Sequence, residues 1–339
     1  MRPIFVTGGA GFIGSEFIRQ LTPRARVINF DKLTYAGNLD NLASVASHPN
    51  YSFVRGDVCD SNAVAAAMPE ACDIVHFAAE SHVDRSILSA SEFVVTNVLG
   101  TQVMLDVARH RKARRFLHIS TDEVGGDMEA EEWLHENSPL EPNSPYAASK
   151  TAAEHFVRAA AHTFGMDTIV TRTSNNYGPF QFPEKLLPLA ISNLAEDRPV
   201  PVYGDGLQVR DWVHVTDNCR ALSMVLDHGR AGQTYHIGGG VPRTNLDVLH
   251  LLLKIMGKPA SLLTSVKDRL GHDRRYAVDF AKITTELGWK PQIQFAEGLA
   301  SAVAWYRDNA EWVARCRSGA YRTYYEDMYA ERHAGAEKL

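Results

Sequence analysis

The stretch PIFVTGGAGFIGSEFIRQL, residues 3–21, constrains this chain more than any other. An apolar run, PIFVT, leads into Gly8, Gly9, Gly11 and Gly14, and then into an apolar-periodic segment, SEFIRQL. The pattern predicts a buried strand, a tight turn and a helix. The spacing fits GxGxxG from Gly9 and GxxGxxG from Gly8. Glycines there let the backbone approach a pyrophosphate, and the helix N-terminus offers oriented N–H donors. Such a motif is weak alone, but the strand–turn–helix context is the one it requires. A second strand, RVINFD, ends in Asp31. A carboxylate there accepts from ribose hydroxyls and repels a 2′-phosphate, so NAD is expected rather than NADP. Asp57 ends YSFVRGDV and is a candidate for the adenine edge. A solvated strand-end acid is the plainer alternative.

CDIVHFAA, RRFLHIST and MDTIVTRTSN are further apolar strands. VVTNVLGTQVMLDVARH and SPYAASKTAAEHFVRAAAHTF read as helices between them. Continuous apolar strands alternating with helices indicate an α/β fold with a doubly wound parallel sheet. After about residue 173 the rhythm breaks. NNYGPFQFPEKLLP and DRPVPVYGDGLQVRDW are rich in Pro, Gly and aromatics and read as lining loops. QTYHIGGG reads as a short strand; NLDVLHLLLKIMG and FAEGLASAVAWYRDNAEWV read as helices. The expected division is a Rossmann domain over 1–172, with returning segments at about 209–236. A smaller, discontinuous substrate domain occupies mainly 173–320, and 330–339 is expected to fray.

Chemistry gathers in two places. YAASK sets Tyr146 and Lys150 four residues apart, on one helix face. A tyrosine is a poor base near neutrality, but a neighbouring ammonium stabilises its phenolate. Tyr146 is then able to take a proton from a sugar hydroxyl as hydride leaves the same carbon. HISTDEVGGD ends a strand in Ser120 and Thr121, followed by Asp122 and Glu123. An Asp–Glu pair is commonly a solvated turn. At a strand end, after two hydroxyls and ahead of YxxxK, it reads as proton-handling. Adjacent like charges in a closed site push their pKa values apart, so one carboxyl stays protonated.

TGGAGFIG, STDE and YAASK together resemble the extended short-chain dehydrogenase/reductase family, and within it the dTDP-glucose 4,6-dehydratases. The resemblance runs from residue 3 to about 310. It includes DKLTYAGNLDNL, AAESHVDRS, NNYGPFQFPEKLLP, VYGDGLQVRDWVHV and GHDRRYAVD. It implies NAD-dependent loss of water from a nucleotide hexose: oxidation at C4, elimination across C5 and C6, and return of hydride to C6. Asp122 is implied as the acid for the C6 hydroxyl, Glu123 as the base at C5, and Thr121 as a hydrogen-bonding partner of the C4 oxygen. For NAD, the resemblance implies Gly8, Gly11, Phe12, Ile13 and Gly14, and then Asp31, Lys32, Leu33, Thr34 and Gly37. Asp57, Val58, Ala78, Ala79, Ser81 and Thr96 follow, with Ser120, Tyr146, Lys150 and Asn176. For the substrate it implies Ser81, His82, Thr121, Asn175, Lys185 and Leu186. Pro201 to Tyr203 would flank the base, Arg210 and Asn245 would meet the diphosphate, and Asp268 to His272 (Arg269 included) would add contacts. Two departures stand out. Relatives usually have an aromatic residue at Gly125 (DEVYG), and often proline at Leu270.

The chain has 339 residues and a formal net charge of −5, with no basic block. Nucleic acid and anionic membranes are therefore poor partners. Four cysteines without CxxC or Cys/His spacing point to a reduced, cytoplasmic protein without metal. The first strand is expected at about Pro3, leaving no room for a signal peptide. Helices at 93–111 and 145–164, apolar on more than one face, are expected to pair across a two-fold axis as a four-helix bundle, as in relatives. The rival functions are a nucleotide-sugar 4-epimerase, a dehydratase of a UDP-sugar, and an NAD-binding redox sensor without catalysis.

Overall fold

The computed structural model describes residues 2–129 and 131–318, and the backbone of 337–338. Six strands come first: β1 Ile4–Thr7, β2 Val27–Asp31, β3 Tyr51–Arg55, β4 Asp73–His76, β5 Arg115–Thr121 and β6 Thr168–Thr173. Short strands follow: β7 Asn175–Tyr177, β8 Val200–Tyr203, β9 Val209–Arg210, β10 Trp212–His214, β11 Thr234–Ile237, β12 Arg243–Thr244, β13 Leu263–Val266 and β14 Glu337–Lys338. One seven-stranded sheet has the order β11-β6-β5-β4-β1-β2-β3. Every pairing in it is parallel. The strand order reverses between β1 and β4, the switch point where such sheets open a crevice.

Side chains alternate across the sheet. Ile4 and Val6 pack with Phe17, Ile18 and Leu117 on one face. Phe5 packs with Ile74, Met104, Phe116 and Val157 on the other. Both faces are dry, which is why these strands read as unbroken apolar runs. A third cluster joins Val200 and Val202 of β8 to three helices. These are Leu186–Ala195, Asn245–Met256 and Phe295–Asp308.

The structure differs from the expected elements after residue 173. The segment 197–212, read as a loop, contains β8, β9 and β10. Its Pro201 is tolerated because β8 is an edge strand, paired only with β13. Helices Val215–His228 and Ala281–Leu287 lie where no helix was read. The single helix expected over 295–313 is two, broken at Asn309, whose side-chain amide donates back to the Trp305 carbonyl at 2.8 Å. The tail expected to fray lies outside the described residues, except for β14, which pairs antiparallel with Thr264 and Ser265. No helix of the described residues is long and apolar enough to cross a membrane.

Candidate active site

The cleft opens at the carboxyl ends of β1, β4 and β5. Gly8 holds φ +70°, and a Cβ there would lie 2.6 Å from the Ala78 backbone nitrogen. A Cβ at Gly14 would lie 2.4 Å from the Gly8 carbonyl oxygen. Only glycine fits this turn. It brings helix Phe12–Leu21 close against β1 with its N-terminus facing the cleft. Asp31 ties the turn to the next loop: its carboxylate accepts from the Ala10 N–H at 2.9 Å and the Leu33 N–H at 2.8 Å. Burial raises its pKa against those two bonds. Leu33 itself does not line the cleft; with φ +58° it turns the loop, and its neighbours Lys32 and Thr34 face in. Lys32 pairs with Asp57 at 2.7 Å. Both line the cleft, as do Val58 and Gly37.

β5 delivers the acid pair. Thr121, its last residue, caps the short 3₁₀ turn Asp122–Gly125 by accepting from the Glu123 N–H at 3.3 Å. The Thr121 hydroxyl donates to Asp122 Oδ1 at 3.2 Å. Asp122 is buried, and its Oδ2 has no hydrogen-bond partner. Burial, then the charge of Glu123, pushes its pKa up to about 8. Glu123 is also raised by burial, but Arg269, Lys185 and Arg210 oppose the shift. The two carboxyls therefore differ. One is held protonated near neutrality, and the other faces three cations that favour its anion.

Helix Pro145–Phe164 brings the Tyr–Lys pair. Ser144 caps it, accepting from the Ala147 N–H at 3.1 Å, with Pro145 in the first turn. Lys150 Nζ donates to the Ile119 carbonyl at 2.6 Å, and burial pulls its pKa down to about 8. Tyr146 is pushed up by burial and by Glu123, with the neighbouring Thr121 side chain opposing the shift. The carboxyl end of β5 and the start of this helix thus share one polar chain.

Apart from Leu33, the residues expected to hold cofactor and sugar meet in this one cleft. Phe12, Ile13, Ala79, Ser81, Thr96 and Ser120 line it with Asn176. Asn175, Leu186, Pro201, Tyr203, His82 and Arg210 line it as well. Asn245 Oδ1 and Arg269 Nε are buried there without partners. His272 is held by Asp268 at 2.6 Å, and Leu270 points outward, 75% exposed.

Other residues were missed. Glu184 lines the cleft, fixed by the Tyr35 hydroxyl at 2.9 Å and by Arg85 at 3.3 Å. Tyr276 lines it too, donating to Asp273 beneath the Arg210 guanidinium, which sits 4.2 Å from the ring centroid. Asn97 sits in a π-helical turn, Val94–Leu99, inside the long helix. Its amide bridges Glu80, at 2.8 and 3.0 Å, to Ser149 at 2.8 Å. Such turns recur at functional sites. Glu184 and Tyr276 lay in quoted motifs, but nothing in the sequence marked which member would reach the cleft.

Gly125 has a local explanation. A Cβ there would lie 2.5 Å from Leu134 Cδ1. Leu134 is 3% exposed, packed with Met128 and Val278. It fills the space that an aromatic residue at 125 would need. Gly125→Tyr should therefore lower the denaturant midpoint, by about 1–3 kcal/mol of overpacking. Gly125→Tyr with Leu134→Ala should recover most of that loss. A single variant as stable as the parent would show that Leu134 yields freely.

The comparisons with known proteins agree with this geometry. The GDP-mannose 4,6 dehydratase family matches residues 5–302. The chain belongs to that family. A dTDP-glucose 4,6-dehydratase of Actinoplanes sp. is 51% identical over 317 residues, covering 91% of this chain and 99% of its own. A dTDP-glucose 4,6-dehydratase from Streptomyces venezuelae, solved with NAD bound, superposes with a TM-score of 0.90 at 50% identity, covering 93% of this chain and 99% of that one. A UDP-glucose 4-epimerase from Thermus thermophilus, complexed with NAD, reaches a TM-score of 0.84 at 28% identity, covering 91% and 99%. Epimerases thus share the fold, so membership of the GDP-mannose 4,6 dehydratase family is not by itself a reaction. The reaction has to be read from the site.

Proposed function

We infer that this chain is an NAD-dependent hydro-lyase converting dTDP-glucose to dTDP-4-keto-6-deoxyglucose. The observation that carries the reading is the contrast between Asp122 and Glu123 at the end of β5. A 4-epimerase needs no acid for a leaving group at C6. The glycine cradle and strand-end Asp31 fit the pyrophosphate and ribose of NAD. When bound, that cofactor supplies an acceptor for the C4 hydride and returns the hydride at C6. Tyr146 takes the C4 hydroxyl proton, one helical turn from Lys150. The C4 ketone acidifies C5, and Glu123 takes that proton. Asp122 gives its proton to the C6 oxygen, which leaves as water. A proton returns from Glu123 to C5. Lys185, Arg210 and Arg269 place guanidinium and ammonium donors along the wall that would hold the diphosphate. The NAD-holding unit is 1–172 with returning segments at about 209–236, and the sugar-holding unit is mainly 173–320.

The test is the product. Incubation with dTDP-glucose should give a nucleotide sugar lighter by one water, and NAD should be extractable from the purified protein. An isomer of unchanged mass would favour the epimerase. A UDP-sugar converted in preference would move the base specificity. Asp122 must be protonated to act, so the elimination rate should fall as pH rises through about 8. A rate flat across that range would remove Asp122 as the acid.

We also place the protein in the cytoplasm as a homodimer. Its cysteines, Cys59, Cys72, Cys219 and Cys316, are free thiols. Leu88, Val94, Val95 and Leu99 are exposed on or near the helix at 93–111, and Phe156 and Phe164 on the one at 145–164. Leu99→Glu with Phe156→Glu should halve the mass seen by light scattering. An unchanged mass would put the interface elsewhere.

A further inference from the structure

The proton balance of the reaction leaves two side chains in the wrong state. Each turnover deposits the C4 hydroxyl proton on Tyr146 and removes one proton from Asp122 with the departing water. Glu123 gains and returns its proton, so it needs no correction. Before the next substrate reacts, Tyr146 must lose a proton and Asp122 must gain one.

The structure connects those two groups. Thr121 is the neighbour whose side chain opposes the rise in the Tyr146 pKa, both side chains line the same cleft, and the Thr121 hydroxyl donates to Asp122 Oδ1 at 3.2 Å. The Glu123 N–H, at 3.3 Å, holds Thr121 Oγ1 between them. All three side chains are buried, with Tyr146 8%, Thr121 7% and Asp122 2% exposed. We propose that Thr121 is a proton relay that resets the site after each turnover, carrying the C4 hydroxyl proton from Tyr146 to Asp122. In this step the Tyr146 O–H bond breaks and a new O–H bond forms at Thr121. The original Thr121 O–H bond breaks and one forms at Asp122 Oδ1. The phenolate and the carboxylic acid are both restored, and no electrons change hands. Asp122 Oδ2 has no partner, so a half-turn of the carboxyl exchanges its two oxygens at the cost of one hydrogen bond. The 3.2 Å separation is longer than an ideal O–H···O bond, and such bonds tighten once substrate fills the site. Over a cycle, the proton taken at C4 leaves in the next molecule of water.

This rests on the dehydratase reading, and the experiment separates the two. Wild type, Thr121→Val and Thr121→Ser are mixed with dTDP-glucose in weak buffer containing a pH indicator. Rapid quench gives the first turnover, and steady-state assay gives the later ones. Wild type should show no proton pulse accompanying water loss. Thr121→Val, which keeps the shape without the hydroxyl, should slow later turnovers roughly ten-fold or more beyond any slowing of the first. It should also release about one proton per site from Tyr146 to solvent as a transient, offset when Asp122 takes one up before the next turnover. Thr121→Ser should restore internal transfer. Equal slowing of first and later turnovers in Thr121→Val would overturn the relay and leave Thr121 a role in oxidation alone. A proton pulse during water loss in wild type would overturn it even if the valine variant did not fold. No water-loss product from wild type would instead sink the dehydratase reading itself.

Discussion

Asp122→Asn should let reduced nicotinamide accumulate on mixing with dTDP-glucose, whereas Tyr146→Phe should suppress that signal altogether. Asparagine keeps the shape of Asp122 and retains a hydrogen bond with Thr121, but it has no acidic proton for the leaving hydroxyl. Oxidation at C4 draws on Tyr146 and Lys150, which asparagine leaves in place. Elimination loses its acid and should slow by roughly 10²–10⁴-fold. The slow step then follows oxidation, so the near-ultraviolet absorbance of the reduced cofactor rises before product appears. Phenylalanine at 146 removes the group that accepts the C4 proton, and the first step stalls. Stopped-flow absorbance beside quenched product analysis reads both. If Asp122→Asn loses the signal as fully as Tyr146→Phe, Asp122 serves binding or oxidation, and the division of labour fails.

The residues legible in the sequence were those whose chemistry is contiguous. Gly8 to Gly14, Asp31, Thr121 to Glu123, and Tyr146 with Lys150 each sit at a strand end or on one helix turn. Local spacing therefore fixes their relative placement before any tertiary contact forms. The parallel sheet was legible for the same reason, since strands buried on both faces announce themselves as apolar runs. Glu184, Tyr276 and Asn97 were not. Glu184 reaches the cleft only because Tyr35 and Arg85, 149 and 99 residues away in sequence, hold its carboxylate. Asn97 matters because a π-turn redirects it within an otherwise ordinary helix. Leu134 stands nine positions beyond Gly125, and only folding shows that one fills the space left by the other. β8 to β10 were hidden because short edge strands carry Pro and Gly, the residues that also mark loops.

Glu123→Gln should separate oxidation from C5 proton removal. Glutamine fits the same space, and Arg269, Lys185 and Arg210 would face a neutral amide in place of a carboxylate. An amide cannot take a proton from carbon, so elimination should slow by roughly 10²–10⁴-fold. The reduced-cofactor signal should still rise, as with Asp122→Asn. What distinguishes the two is exchange. In deuterium oxide, Asp122→Asn still has its base, and C5 of the ketone formed on the enzyme should take up deuterium even where water is lost slowly. Glu123→Gln should leave C5 protonated in all sugar recovered before elimination. Removing the Glu123 charge has a second consequence. That charge is the second cause of the high pKa of Asp122, after burial. In Glu123→Gln the Asp122 carboxyl should titrate below about 8, so the residual elimination should begin to fall at lower pH than in wild type. The measurements are mass or magnetic-resonance detection of deuterium at C5 and the pH profile of the residual rate. Deuterium at C5 in Glu123→Gln at the wild-type rate would assign the base to another group. An unmoved pH limb would show that burial alone sets the state of Asp122.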